Sequence, residues 1–295
     1  MSSFSSMYKK AFNEILKPQG YCIWKSVFYK EVNNNICFFV YGKKVVHSQV
    51  SSTIEVCVDA TPYCVDLKSN KYEPQESATG LFDILKILNP GITTEKNLPE
   101  YFITRLMANS EEAALNSLSN LCKDMENLIL PYLHKFTDLE YYFDELQKIW
   151  GLYECNKKSY NNYFSYGLSL KLRKYNNAIP YVEYWLLWHD NITRRGKADL
   201  EELNKGNVMA VFNGSTEEYN VPTEKFVSKI LKRQPDFIES QIKAAKKMIA
   251  DSENETSKLQ IIKSALLAKD HDYLDGIVQE IEDSSRNYIR QMVGQ

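Results

Sequence analysis

Apolar residues Phe4, Met7, Tyr8, Ala11, Phe12, Ile15 and Leu16 recur at three- and four-residue spacing, the stripe of an amphipathic helix with one face against a core. Pro18 and Gly20 stop that helix, because proline cannot continue the hydrogen-bond ladder and glycine accepts the left-handed turn that follows. The period then shortens. Residues 23–32 are rich in aromatic and β-branched side chains, Asn33-Asn34-Asn35 can take the left-handed conformations of a tight turn, and residues 36–41 (ICFFVY) are apolar without interruption. Together they predict a β-hairpin whose second strand lies centrally in a sheet. From Thr53 to Ala60, Ile54, Val56, Val58 and Ala60 alternate with Glu55, Cys57 and Asp59, which predicts a third strand with one face toward a core.

Residues 62–100 are irregular, with one apolar piece at 81–88 that predicts a further short strand. Ser110, followed by Glu111 and Glu112, predicts the capped start of a helix that runs through Leu118, Leu121 and Met125 to Pro131, where it ends or kinks. Thr137 or Asp138 caps the next, with Leu139, Tyr142, Phe143, Leu146, Ile149 and Trp150 on one side and Gly151 at its close.

Beyond residue 157 the pattern is helical. Helices are predicted at 163–175 and 178–189, with Pro180 in the first turn of the second, and again at 224–231, 235–250, 255–268 and 270–288. A loop at 204–221 carries strand character in VMAVF (208–212). The stretches LRKYNNAIPYVEYW and AKDHDYLDGIVQEIE share a turn, a tyrosine, a small residue three positions later and an apolar stripe, and so resemble tetratricopeptide-style helical pairs; two copies do not make an array. The expected fold class is α+β: an antiparallel sheet of about three to five strands packed by helices in residues 1–151, then a mostly helical half in residues 157–295.

Composition narrows the classes. Hydrophobic residues make up 44% of the 295 and charged residues 25%, enough apolar surface for real cores. A formal net charge of −2 gives no general attraction for a polyanion, so nucleic acid is not an expected partner. The longest apolar runs, ICFFVY and YWLLW, are too short to cross a bilayer and no secretory leader is read at the start; the expected location is the cytoplasm. Six cysteines lie scattered without a C-x-x-C pair, several inside apolar runs, as buried free thiols do, and the four histidines lack ligand spacing. Neither a metal nor a cofactor is expected.

Several stretches invite a chemical reading. Thr193-Arg194-Arg195-Gly196-Lys197 places three cations beside a glycine, so Arg194, Arg195 and Lys197 form a candidate anion site; the plainer reading is a solvated helix-end loop balanced by Asp199, Glu201 and Glu202. Neither phosphate-cradling glycine motif is present. His189-Asp190 offers a base and an orienter, but adjacent helical residues diverge, and a histidine at a helix C-terminus explains it more simply. Cys57 and Cys64 with His47 read as core thiols beside a strand-end histidine, not as an activated pair. No catalytic residue is assigned.

A band of tyrosines, Tyr160, Tyr163, Tyr166, Tyr175, Tyr181 and Tyr184, precedes and enters the first helical pair. Aromatic side chains anchor interfaces because they give large contact area at low entropy cost, and Tyr163, Tyr166, Tyr184 and Trp185 are the candidate protein-binding residues. The alternative is that they pack the helical pair itself.

The series Phe12, Ile15, Leu16, Pro18, Gly20, Tyr21, Phe28 and Tyr29, followed by Pro131, Leu133, Phe136, Leu139 and Leu146, resembles a bacterial family catalogued as domain of unknown function 4304. The resemblance covers the first half of the chain. It implies a small α+β domain without an assigned activity, encoded in some cases near toxin or defence genes, and supplies no catalytic residues. The expected function is a non-enzymatic protein-binding module, an immunity or defence-associated factor in bacteria, with an unidentified protein partner. An enzyme with an unrecognised active site and a nucleic-acid-associated factor stand as alternatives.

Overall fold

The computed structural model describes residues 4–48, 51–73, 79–80, 111–151, 163–206, 223–233 and 236–294. The apolar piece at 81–88, the cap at Ser110, Cys155, Tyr160 and the VMAVF run lie outside the described residues, as do the side chains of His47, Ile54, Val56, Glu111, Glu112, Ile149 and Trp150. The chain forms two compact units: residues 1–155, 163–172 and 275–295 make the first, and residues 156–162 and 173–274 the second. A single cut near Gly151 was expected; instead the last helix returns to the first unit, because it fills a sheet face that the N-terminal half leaves bare.

In the first unit, α1 (Phe4–Leu16) ends in one 3₁₀ turn, Lys17–Gln19, and Gly20 follows at φ 85°, as the proline-glycine pair predicted. Strands β1 (Cys22–Trp24), β2 (Val27–Val32), β3 (Ile36–Ser48), β4 (Ser51–Pro62) and β5 (Thr79–Gly80) form an antiparallel sheet in sequence order, which puts the apolar β3 at its centre. The single strand expected over 23–32 is two, because Lys25 adopts φ 53° and turns the chain between Trp24 and Val27. Asn33 and Asn34, at φ 52° and 55°, make the tight turn before β3.

One face of the sheet carries Phe28, Phe38, Val40, Val58 and Ala60 and packs beneath helices. Phe12 of α1 stacks on Phe28 with ring centres 6.4 Å apart. Helix α2 (Glu111–Asp124) widens into a π-type stretch, Met125–Ile129, before α3 (Leu130–His134), so Pro131 is accommodated without ending the run. Asp138 caps α4 (Leu139–Gly151) by accepting the amides of Glu140 and Tyr141, at 2.9 and 3.3 Å. From α4, Tyr142 donates to the carbonyl of Ala60 at 2.6 Å.

The opposite face, with Val27, Tyr29, Cys37, Phe39, Tyr41 and Cys57, is equally buried. Its cover is the segment Tyr63 to Tyr72, α5 (Tyr163–Lys171) and the later turns of the last helix, His271–Val293, labelled α9 below, whose Ile289 and Val293 enter the cluster. Polar groups fix the register of that helix. Ser285 donates to the carbonyl of Val65 at 2.5 Å and accepts the Leu67 amide at 3.2 Å, Tyr288 reaches the Tyr72 carbonyl at 3.0 Å, and Glu282 pairs with Lys171 at 2.6 Å.

The second unit is dominated by two long helices, α6 (Tyr175–Asn204) and α8 (Phe237–Ala268), with the shorter α7 (Thr223–Arg233) between them in sequence and the start of α9 after them. Two helices predicted in α8 are one, and α6 starts three residues ahead of the expected Ala178, which leaves Pro180 beyond its first turn. The two pack antiparallel. Along the seam Glu183 pairs with Lys263 at 2.7 Å, His189 meets Ser252 at 3.0 Å, and Gly196 lies against Ile249 and Met248. At 30 and 32 residues each helix is about 45 Å long.

Candidate functional site

The buried residues of α6, Tyr175, Ala178, Val182, Gly196 and Leu203, are separated by steps of three and four residues or by whole heptads, the spacing of a coiled-coil seam. Gly196 fits that seam closely. A Cβ at that position would stand 2.9 Å from Ile249 Cγ1 and 3.0 Å from Met248 Cε, so glycine lets the helices approach. Arg194, Arg195 and Lys197 are therefore helical residues, not a loop. Arg194 donates to Asn191 at 2.7 Å, Arg195 lies 4.0 Å from Asp199 and Lys197 pairs with Glu253 at 2.8 Å, so the three cations are already engaged and do not converge. His189 is likewise not at a helix end: its Nδ1 lies 3.0 Å from Ser252 Oγ, which in turn donates to the His189 carbonyl at 3.0 Å. Asp190 is exposed on another face.

The candidate protein-binding residues fall into both units. Tyr163 and Tyr166 lie on α5, where Tyr163 packs against the buried sheet cluster with its ring 4.7 Å from that of Phe164. Tyr184 and Trp185 lie on α6 and touch edge to face at 5.4 Å. Around Trp185 the rings of Tyr181, Trp188 and His189 lie at 6.2, 6.1 and 6.2 Å, a continuous aromatic cluster on one helix. Beyond it, Trp188 is 48% exposed and Leu187 62%. The indole N–H of Trp185 is buried with no hydrogen-bond partner among the described residues. Leu187 and Trp188 were not singled out in the sequence, because nothing local in the run YWLLW distinguishes a side chain turned to solvent from one packed in the helical pair.

No family model, curated protein or solved structure matches the chain.

In the sheet unit a cavity of about 220 Å³ is lined by Cys37, Tyr63, Glu31, Lys30 and Arg290 among others. Glu31 is already held, with both oxygens 3.2 Å from Arg290 and one 3.8 Å from Arg286 Nε. Burial drives the Cys37 thiol far above its ordinary range and keeps it protonated, so it is a packing group and not a nucleophile. Burial also pushes Cys64 up to about 12 and Cys122 up to about 11. All five described cysteines are free; Cys37, Cys57 and Cys64 are buried as expected, whereas Cys22 is exposed. Among the described residues no helix is long and apolar enough to cross a membrane, and no cluster of potential metal ligands occurs.

Proposed function

We propose that the chain is a non-enzymatic protein-binding module whose contact surface is the exposed rim of α6, centred on Trp188 and Leu187. The observation that supports it is an exposed tryptophan beside an exposed leucine on a helix whose apolar seam is already occupied by α8. Large apolar side chains left on the surface of a packed element are the kind of group that anchors a partner, and a tryptophan flanked by further rings is pre-ordered for that role. Trp185 lies against Trp188 with ring centres 6.1 Å apart, and Tyr184 lies against Trp185 at 5.4 Å. Tyr163 contributes to the sheet core and stands outside the proposed surface.

The biological setting follows the resemblance of the first half: an immunity or defence-associated factor that acts by occupying a protein partner. Affinity capture from the native bacterial host, with the retained protein identified and then assayed against the variant Leu187→Ser/Trp188→Ser, tests it. The expected result is loss of that partner with unchanged thermal stability. Full retention by the folded double variant would overturn the surface.

A further inference from the structure

Strand β1 is the outermost strand on one side of the sheet and, among the described residues, pairs with β2 alone. Two residues, Lys25 and Ser26, turn the chain between them, and the turn closes on the Trp24–Val27 pair. A two-residue turn is closed by a hydrogen-bonded pair, and bonded and unbonded pairs alternate along an antiparallel ladder. Trp24 and Cys22 therefore direct their amides and carbonyls at β2. Those of Ile23 point away from the sheet, and among the described residues no other segment bonds to them.

Three features set this edge apart. An open edge is a template for another strand and is ordinarily guarded by charge. Here its centre is Ile23, 50% exposed. Second, Cys22 and Trp24 face the side of the sheet that α9 covers, because they stand opposite Tyr29 and Val27. On that side the cavity of about 220 Å³ reaches the edge strand, its wall running from Ile289 and Val293 in the last turns of α9 to the exposed Cys22. Third, lysines stand at both ends of β1: Lys25 follows Trp24, and Lys30 lies one residue past the Cys22–Tyr29 pair. Their ammonium groups lie over the rings of Trp24 and Tyr21, at 4.3 and 5.7 Å, and neither makes an ion pair among the described residues. The carboxylate in the cavity wall, Glu31, is held by Arg290 and leaves both lysines unanswered.

We infer that this edge binds an extended, acidic peptide segment of a partner protein, added to the sheet as one more strand. The segment exchanges a pair of backbone hydrogen bonds with Ile23, lays an apolar side chain beside Cys22 into the cavity, and sets acids against Lys25 and Lys30. Main-chain bonds supply affinity and the cavity selects the side chain, as in strand addition generally. The edge belongs to the first unit and the aromatic rim of α6 to the second, so the two surfaces are tested separately.

The probe is the peptide fluorescein-Glu-Val-Thr-Val-Glu-amide, titrated into the full chain by fluorescence anisotropy. Its threonine stands opposite Ile23, its valines face the α9 side and its glutamates meet the lysines. A second peptide carries an N-methyl group on the threonine amide, which removes one backbone donor without altering the protein. Ile23→Pro removes the outward amide from the other partner, at a position where an edge strand tolerates proline. Lys25→Glu/Lys30→Glu reverses the charge. Expected are saturable binding, weakening by about tenfold for the N-methylated peptide and for Ile23→Pro, as loss of a backbone hydrogen bond predicts, and weaker binding by the charge-reversed variant. Saturating peptide also slows modification of the exposed Cys22 by a thiol reagent. Leu187→Ser/Trp188→Ser binds the peptide like the parent. Absence of saturable binding, equal affinity for the N-methylated peptide, equal affinity for a peptide with glutamine in place of glutamate, or unchanged Cys22 reactivity would overturn the proposal. Self-association of the chain that Ile23→Pro abolishes would replace the peptide by the same edge of a second copy.

Discussion

The phenol of Tyr72 donates to the buried carboxylate of Asp59, on the face of β4 that lies opposite the Val58 and Ala60 side. Thr61 Oγ1 completes the group, 2.6 Å from the phenol oxygen and 3.1 Å from the same carboxylate oxygen. Asp59 pairs across the sheet with Phe39, so a carboxylate sits among aromatic rings and is sustained by its hydroxyl donors. Tyr72→Phe is expected to lower stability by about 1–3 kcal/mol, because it withdraws a hydrogen-bond partner from a buried carboxyl group. Urea denaturation checks it: the midpoint falls with an unchanged slope. Unaltered stability would mean that another group supplies the bond.

The same face depends on the C-terminal helix. Ile289→Ala is expected to destabilise the first unit by about 2–5 kcal/mol, since Ile289 is buried in the sheet cluster. A fragment ending at residue 155 is expected to lack a cooperative unfolding transition by near-ultraviolet circular dichroism, and a peptide of residues 270–295 to restore it. A fragment that unfolds cooperatively alone would show that this cover is dispensable.

Two glycines should respond differently to alanine. At Gly167 a Cβ would fall 2.2 Å from the backbone carbonyl oxygen of Cys64, which cannot swing aside, so Gly167→Ala is expected to cost about 1–3 kcal/mol or more despite its helix propensity. At Gly196 the nearest atom belongs to the Ile249 side chain, and Gly196→Ala is expected to be milder. Thermal unfolding of the pair reads the order directly; equal effects would contradict the backbone clash.

Alkaline pH separates buried from exposed thiols. Burial raises Cys64 to about 12 from 9.0, so as pH climbs past 9 the unfolded chain releases a proton that the folded chain keeps. The contribution is complete below pH 9 and is lost as pH rises toward 12. Stability is therefore expected to fall over that interval, and less steeply in Cys64→Ala. At pH 8 a thiol reagent is expected to modify the exposed Cys22 at once and Cys64 only on unfolding, as peptide mapping can measure.

The aromatic surface yields a stability contrast. Tyr163→Ala should lower the Tm of the first unit, whereas Trp188→Ser should leave stability within about 0.5 kcal/mol, because one side chain packs on a core and the other stands half in solvent. Destabilisation by Trp188→Ser would place that ring in packing and not in contact.

Local signals were legible without coordinates wherever the cause is local. Pro18 and Gly20 ended α1, the asparagines at 33 and 34 turned left-handed, Asp138 capped α4, and the uninterrupted run at 36–41 marked the central strand, because backbone sterics, capping and periodicity act over a few residues. The α+β class followed from that order of periods. Tertiary structure decided what distant segments do to one another. Asp59 reads as an outward residue until residues 63–72 and α9 cover its face, and Gly196 reads as a loop glycine until α8 lies 2.9 Å from its missing Cβ. Alternation and propensity record which side of an element a residue occupies, but whether that side meets solvent, a core or a second helix is fixed by contacts across the fold.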